Sequence, residues 1–242
     1  MRLWSADEMD RLEGVGDDAW AILSQLVDLV EPGVRGTDIE AAARVLLQRS
    51  EMISPIDPSF GAVLCLCVDR DPPNTLPLPA PIRDGSVVTL DLPCGRDGLV
   101  VDVATAIGVG DSDEPGQRLI DAAAAVTAST IEACRPGALW SEVVDAAQLA
   151  AGGSANSGEV WIERGYAGHA VGRRLHERPE LPYHPDEFAA DFRLVAGMVF
   201  TVEPVVTDGL RSAFEERTIG VTATGPRVLA GKNRAQRAIG SD

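Results

Sequence analysis

Short β-branched apolar runs recur in two distant parts of the chain, and each run is closed by a carboxylate. Val87-Val88-Thr89-Leu90 follows an Asp84-Gly85 turn and ends at Asp91, while Met198-Val199-Phe200-Thr201-Val202 follows Ala196-Gly197 and ends at Glu203. Runs of this length, opened by glycine and rich in β-branched residues, predict strands buried on both faces. A second carboxylate follows each on the expected returning strand: Asp102 in Val100-Val101-Asp102-Val103, and Glu216 in Phe214-Glu215-Glu216-Arg217-Thr218-Ile219. The separations of 11 and 13 residues suit hairpins with a few turn residues.

A helical pattern is duplicated as well. Val30-Glu31-Pro32-Gly33-Val34 leads through Thr37-Asp38-Ile39-Glu40 into the run Ala41 to Leu47, and Cys134-Arg135-Pro136-Gly137-Ala138 leads through Ser141-Glu142 into Val143 to Ala147. In both, a Pro-Gly breaker ends one helix and a hydroxyl residue is expected to cap the next, Thr37 forming a capping box with Glu40. The echoes predict an α+β fold of one domain over residues 1–242, built from pseudo-repeats of about residues 15–110 and 117–225. Each repeat gives two long helices and a hairpin to one curved antiparallel sheet, about an approximate two-fold axis.

Such an axis turns the two acidic hairpins toward each other. A carboxylate at the end of a fully buried run is costly without a partner, and four at one place repel strongly in low dielectric. Two divalent cations cancel four carboxylates, which is the charge argument for a dinuclear site between Asp91, Asp102, Glu203 and Glu216.

The composition fits this picture. The chain carries 37 acidic against 21 basic residues and a formal net charge of −16, which argues against nucleic acid or an anionic membrane as the main partner. The start, Met1-Arg2-Leu3-Trp4-Ser5, lacks the apolar core of a signal peptide, and no run approaches the ~20 apolar residues of a membrane span. A cytoplasmic protein is expected. Cys65, Cys67, Cys94 and Cys134 are too scattered for a disulfide framework and are read as reduced thiols.

Of the 3 histidines, two lie in Gly168-His169-Ala170-Val171-Gly172-Arg173-Arg174-Leu175-His176-Glu177-Arg178-Pro179. The flanking Gly168 and Gly172 suggest close backbone approach around His169, and the following interval lets His176 return to the same cleft. His184 sits in a Pro-rich segment read as a surface loop and is given no role.

These segments resemble those of the methionine aminopeptidase, prolidase and creatinase superfamily, the pita-bread fold. Gly168 to Gly172 followed by His176-Glu177-Arg178-Pro179 is similar to its GHGIG…HExP segment, and Gly197-Met198-Val199-Phe200-Thr201-Val202-Glu203-Pro204 to its GMxFTxEP segment. The resemblance implies that Asp91 chelates one metal, that His169 and Glu203 bind the other, and that Asp102 and Glu216 bridge both. Glu216 is preferred to Glu215 because it precedes Arg217-Thr218. The implied cofactor is two divalent ions of manganese, iron(II) or cobalt, with zinc possible. The implied chemistry is attack of a metal-bridging hydroxide on an amide carbonyl, with Glu203 shuttling the proton and His176 holding the oxyanion.

The family also places a histidine before the first aspartate strand, whereas here the segment reads Asn74-Thr75-Leu76-Pro77. Matching it to HGIP puts Asn74 at that substrate-side position, where an amide keeps a hydrogen bond but carries no charge, while matching the prolidase-like form puts Leu78 or Pro79 there. The closest likeness is to methionine aminopeptidase without this histidine. The leading expectation is a metal-dependent hydrolase that cleaves an N-terminal residue or small amide, as a monomer or homodimer. The alternatives are a non-peptidase metal enzyme acting on a small metabolite and a non-catalytic binding protein.

Overall fold

The computed structural model describes residues 1–154, 160–188 and 190–231. Helix α1 (Ala6–Val27) starts from a capping box in which the Ser5 hydroxyl accepts from Glu8 N and the Glu8 carboxylate accepts from Ser5 N. Its buried stripe, from Met9 and Leu12 through Val15, Ala19 and Leu23 to Leu26, follows helical spacing and faces the sheet. Helix α2 (Gly36–Arg49) follows. The first half then contributes β1 (Cys65–Val68), β2 (Val87–Asp91), β3 (Cys94–Arg96), β4 (Leu99–Val101) and β5 (Val103–Gly108).

The second half repeats the plan with α3 (Glu114–Ala133) and α4 (Trp140–Ser154). Its strands are β6 (Trp161–Ile162), β7 (Ala167–Ala170), β8 (Glu177–Pro182), β9 (Val199–Val202), β10 (Val206–Thr207), β11 (Ser212–Ala213), β12 (Glu216–Thr222) and β13 (Gly225–Ala230). The main antiparallel sheet runs β1-β2-β5-β12-β9-β7-β8, with β13 beside β12. Read from the β5–β12 junction outward, β5, β2 and β1 match β12, β9 and β7, as a two-fold axis through that junction requires. At the junction Glu216 lies opposite Ala104 and Arg217 opposite Val103.

Two apolar cores follow the two halves. One packs α1 and α2 against the first strands through Leu12, Ile22, Leu23, Leu26, Leu66 and Leu90. The other packs α3 and α4 through Val126, Trp140, Val144, Phe200 and Tyr183. Trp140 is fully buried, stacks on Phe192 and donates its indole N–H to the Pro182 carbonyl, tying α4 to the end of β8.

The helix starts differ from the sequence expectation. The N-cap of α2 is Arg35 in extended conformation, with no side-chain cap, and Glu40 accepts from Val63 N instead of closing a box with Thr37. Helix α4 begins at Trp140, and the Ser141 hydroxyl donates to Asp191. In both cases a tertiary partner outcompetes the local cap. The connections between paired carboxylates are also more elaborate than bare turns. The Asp91–Asp102 link contains the β3–β4 hairpin, the Glu203–Glu216 link contains β10 and β11, and Asp102 lies between β4 and β5 rather than within a strand.

Close contact of α1 with β13 rests on Gly16, where a Cβ would come within 2.1 Å of the Leu229 carbonyl oxygen. The obstacle is backbone and cannot rotate away. Gly16→Ala is expected to lower unfolding stability by about 1–3 kcal/mol, read as a lower urea midpoint. An unchanged midpoint would show that α1 is not held this tightly.

Candidate metal centre

The five residues singled out from sequence meet in one cleft of about 470 Å³. Asp91 ends β2, Glu203 follows β9, Glu216 opens β12, His169 is on β7, and Asp102 sits between β4 and β5. Asp102 and Glu216 are 5% and 1% exposed, so both carboxylates are withdrawn from water. Asp102, His169 and Glu216 each turn one ligand atom to within 4.8 Å of the others. Asp91 lies against Asp102, and Glu203 against Glu216.

The site's electrostatics follow from this crowding. Burial, then repulsion from Asp91 and Glu203, holds the Asp102 carboxyl well above the usual range. Burial and the surrounding carboxylates do the same to Glu216, and burial raises Asp91 and Glu203. Asp91 Oδ1, Asp102 Oδ1 and Glu216 Oε1 are buried with no hydrogen-bond partner. Buried carboxylate oxygens are almost always satisfied, so three orphans at one place call for a cation.

His169 supplies the nitrogen. Its Nδ1 lies 3.2 Å from the Ala170 carbonyl, which can only accept, so Nδ1 carries the proton and Nε2 presents a lone pair. Nε2 is 3.6 Å from Glu203 Oε1 and 3.9 Å from Asp102 Oδ2. Burial, then the neighbouring His176, pushes the imidazole down to about 4, so it is neutral at pH 7 and suited to ligation. The donor set fits a divalent cation.

Side chains not anticipated from sequence fix these groups. The Thr201 hydroxyl accepts from His169 N at 3.0 Å and donates to Glu203 Oε1 at 2.6 Å, joining two ligand candidates through one atom. Thr218 performs the matching task at Asp102, accepting from its N–H and donating to its carbonyl, both at 2.9 Å. Each threonine is two residues from a carboxylate on the same strand face, a spacing that could have signalled it. The phenol oxygen of the fully buried Tyr183 accepts from Glu203 N at 2.9 Å, and the buried Cys65 lies opposite Asp91 on the neighbouring strand. Those contacts come from register and tertiary packing and leave no local signal.

The remaining expected residues are placed as follows. His176 lines the cleft with its ring edge-on to His169, centroids 4.5 Å apart. Asn74 is exposed at the rim in left-handed conformation, φ 66°. Glu215 points out of the cleft, accepting from Thr105 Oγ1 and Ala106 N and pairing with Arg217, as strand alternation with Glu216 dictates. His184, read as a surface-loop residue, is half-buried, its ring nitrogens near the Ile162 carbonyl and Arg164.

Residues 19–223 match the family model described as metallopeptidase family M24. A methionine aminopeptidase of a Synechocystis species is 28% identical over 86% of this chain and 77% of its own length. The methionine aminopeptidase of Treponema pallidum is 27% identical over 93% and 88% respectively. Among solved structures, a Thermotoga maritima methionine aminopeptidase superposes with a TM-score of 0.87 at 24% identity, over 96% of this chain and 100% of that one. A Pyrococcus furiosus prolidase gives 0.79 at 21%, this chain spanning 66% of it. At these identities the structures establish the pita-bread fold. No described helix is long and apolar enough to cross a membrane. With the family match running through most of its length, the chain belongs to metallopeptidase family M24, as a metal-dependent hydrolase of aminopeptidase-like kind.

Proposed function

We propose that this protein is a two-metal aminopeptidase that removes an N-terminal residue from a peptide, its ions held by Asp91, Asp102, His169, Glu203 and Glu216. The observation that carries the reading is the convergence of three unpartnered buried carboxylate oxygens on a cleft that also receives a bare imidazole nitrogen. Asp91 would chelate one ion, His169 and Glu203 the other, and Asp102 and Glu216 both. Oxygen-rich ligands with one imidazole suit manganese, iron(II) or cobalt, and tolerate zinc. When bound, such ions polarise a carbonyl and make water acidic enough to act as a nucleophile near neutral pH.

The chain's own residues do the rest. Glu203 Oε1 is engaged by Thr201, which leaves Oε2 to take a proton from the attacking water and return it to the leaving amine. His176, lowered by burial and so neutral, donates an N–H to the developing oxyanion without adding charge. Asn74 offers an amide to the substrate backbone from the rim. Cys67, Ala104, Val205 and Phe214 form a small buried apolar cluster beside the acidic centre, suited to an unbranched or small N-terminal side chain.

A second reading, a non-peptidase enzyme acting on a small metabolite, is favoured by Asn74, which cannot supply the titratable group of a histidine there. Aminoacyl reporters assayed with manganese, cobalt or iron(II) separate the two. Turnover is expected with at least one, and its absence on all of them with two ions bound would reject the peptidase. Asp102→Ala should empty the site of metal, and unchanged metal content would defeat the two-ion arrangement. Glu203→Gln should lower kcat by about 10²–10⁴-fold, whereas Asn74→Ala, removing one neutral hydrogen bond, should cost about 3–10-fold.

The unpaired carboxylates also set a pH dependence in the metal-free protein. A group whose folded pKa is raised contributes stability below its unfolded value, here near 3.8 for Asp102, and loses it as pH rises through the folded value. Asp102→Asn is therefore expected to melt higher than the parent in chelator at pH 8, with the advantage vanishing toward about pH 4. Each kcal/mol corresponds to roughly 2–4 °C for a chain of this size. A lower melting temperature for the variant at pH 8 would count against an uncompensated charge at Asp102.

A further inference from the structure

Between β7 and β8 the chain makes a connection over residues 171–176 that lies outside helix and strand and ends on His176. Among the described residues the His176 ring makes no hydrogen bond, and its edge contact with His169, centroids 4.5 Å apart, is broad in direction. Where the ring stands is therefore set by the backbone that carries it.

That backbone is anchored by groups from elsewhere in the chain. Val100 N donates to the Gly172 carbonyl at 2.9 Å and the Arg173 guanidinium to the Gly98 carbonyl at 3.3 Å, which ties the connection to the β3–β4 hairpin. Glu177 Oε1 accepts from Arg173 N and Arg174 N, both at 2.9 Å. A further support is the segment ahead of α1. Trp4 is buried, and a Cβ on Gly172 would come within 2.3 Å of its ring, so only a glycine, here at φ 137°, lets the indole lie directly on the connection.

The indole is itself held in place. Trp4 N donates to the Gly197 carbonyl at 2.7 Å, at the head of the run that ends at Glu203. The guanidinium carbons of Arg2 and Arg173 lie 4.4 and 5.3 Å from the centre of its ring, and Glu8 Oε1 pairs with both arginines. Two cations on one ring repel unless an anion lies with them, and Glu8 is that anion. Glu8 is fixed in turn by the capping box of α1, so the ring is tied to a rigid helix start.

We propose that Trp4 is a positioning residue for His176, acting from outside the cleft through Gly172 and Arg173. The proposal rests on the aminopeptidase reading for what His176 does, not for where it stands. Trp4 is not among the residues that line the cleft. Removing the indole leaves a gap against Gly172, which has no side chain to fill it, and the connection relaxes into that gap and carries His176 away from the carbonyl it serves.

With only 3 histidines in the chain, the ring can be observed directly. In zinc-loaded protein whose histidine rings are labelled with carbon-13, the NMR signal missing from His176→Ala is that of His176. Trp4→Ala is expected to shift and broaden this signal and leave that of His184 in place, while Trp4→Phe, which keeps a ring under the arginines, stays near the parent. On an aminoacyl reporter Trp4→Ala should lower kcat about 10–100-fold, the size of a misplacement near 1 Å, with KM little changed. In the His176→Ala background the same substitution should cost nothing further, because the group it positions is gone. An unmoved His176 signal, or an equal loss of kcat in both backgrounds, overturns the proposal and leaves the indole a role in stability alone. Should Trp4→Ala not fold, Arg173→Met, at a side chain 41% exposed, removes the guanidinium with its ties to Glu8 and Gly98 and should move the same signal. An unmoved signal there overturns the proposal equally. A parent that turns over no reporter but keeps a Trp4-dependent His176 signal rejects the aminopeptidase and retains the positioning.

Discussion

Everything at the centre of this molecule answers to the repulsion among Asp91, Asp102, Glu203 and Glu216. Like charges withdrawn from water into low dielectric raise one another's proton affinity and push apart whatever carries them. The strands that bring them together are held by ladders and cores far from the cleft: β5 to β12 at the pseudo-two-fold junction, α1 on one side and α3 and α4 on the other. The cores supply the favourable free energy that keeps a strained charge distribution assembled, and a divalent cation converts that strain into affinity.

Assembly alone does not orient carboxylates, and the site spends hydroxyl groups on that task. Thr201 and Thr218 are cross-strand partners on β9 and β12 of the second half, one joining His169 to Glu203 and the other clasping the Asp102 backbone. A threonine on a strand is stiff about χ1, so its hydroxyl is a fixed point rather than a searching one. Tyr183 extends the same logic, since its phenol oxygen anchors the Glu203 amide while its ring packs against Trp140 in the second core. Packing of α4 is thereby linked to the position of the residue proposed to move the proton.

The duplicated runs made the sheet, the halves and the converging residues legible, because burial of a strand on both faces leaves a repeated apolar pattern and a terminal carboxylate stands out against it. His169 was legible from its glycines: a Cβ on Gly168 would lie 2.5 Å from the Thr201 carbonyl oxygen, so the sequence there records close strand contact. The helix caps were not legible. Glu40 and Ser141 have local partners available, yet Val63 N and Asp191 take them, and that competition is decided by segments distant in sequence.

The parts of the cleft that match the family pattern and the parts that depart from it differ in how they are built. Each proposed ligand is placed by a strand or strand junction of the central sheet, so displacing any one of them disturbs its neighbours' hydrogen bonds and register together. The two ends of the cleft are under no such joint constraint. Asn74 lies on the connection after β1 and Arg178 on an unpaired stretch of an edge strand, where a side chain can change without moving the carboxylates. The acidic centre and the rims of the cleft therefore sit on structurally separable elements, so that a rim residue such as Asn74 can differ from the family pattern while the centre is kept.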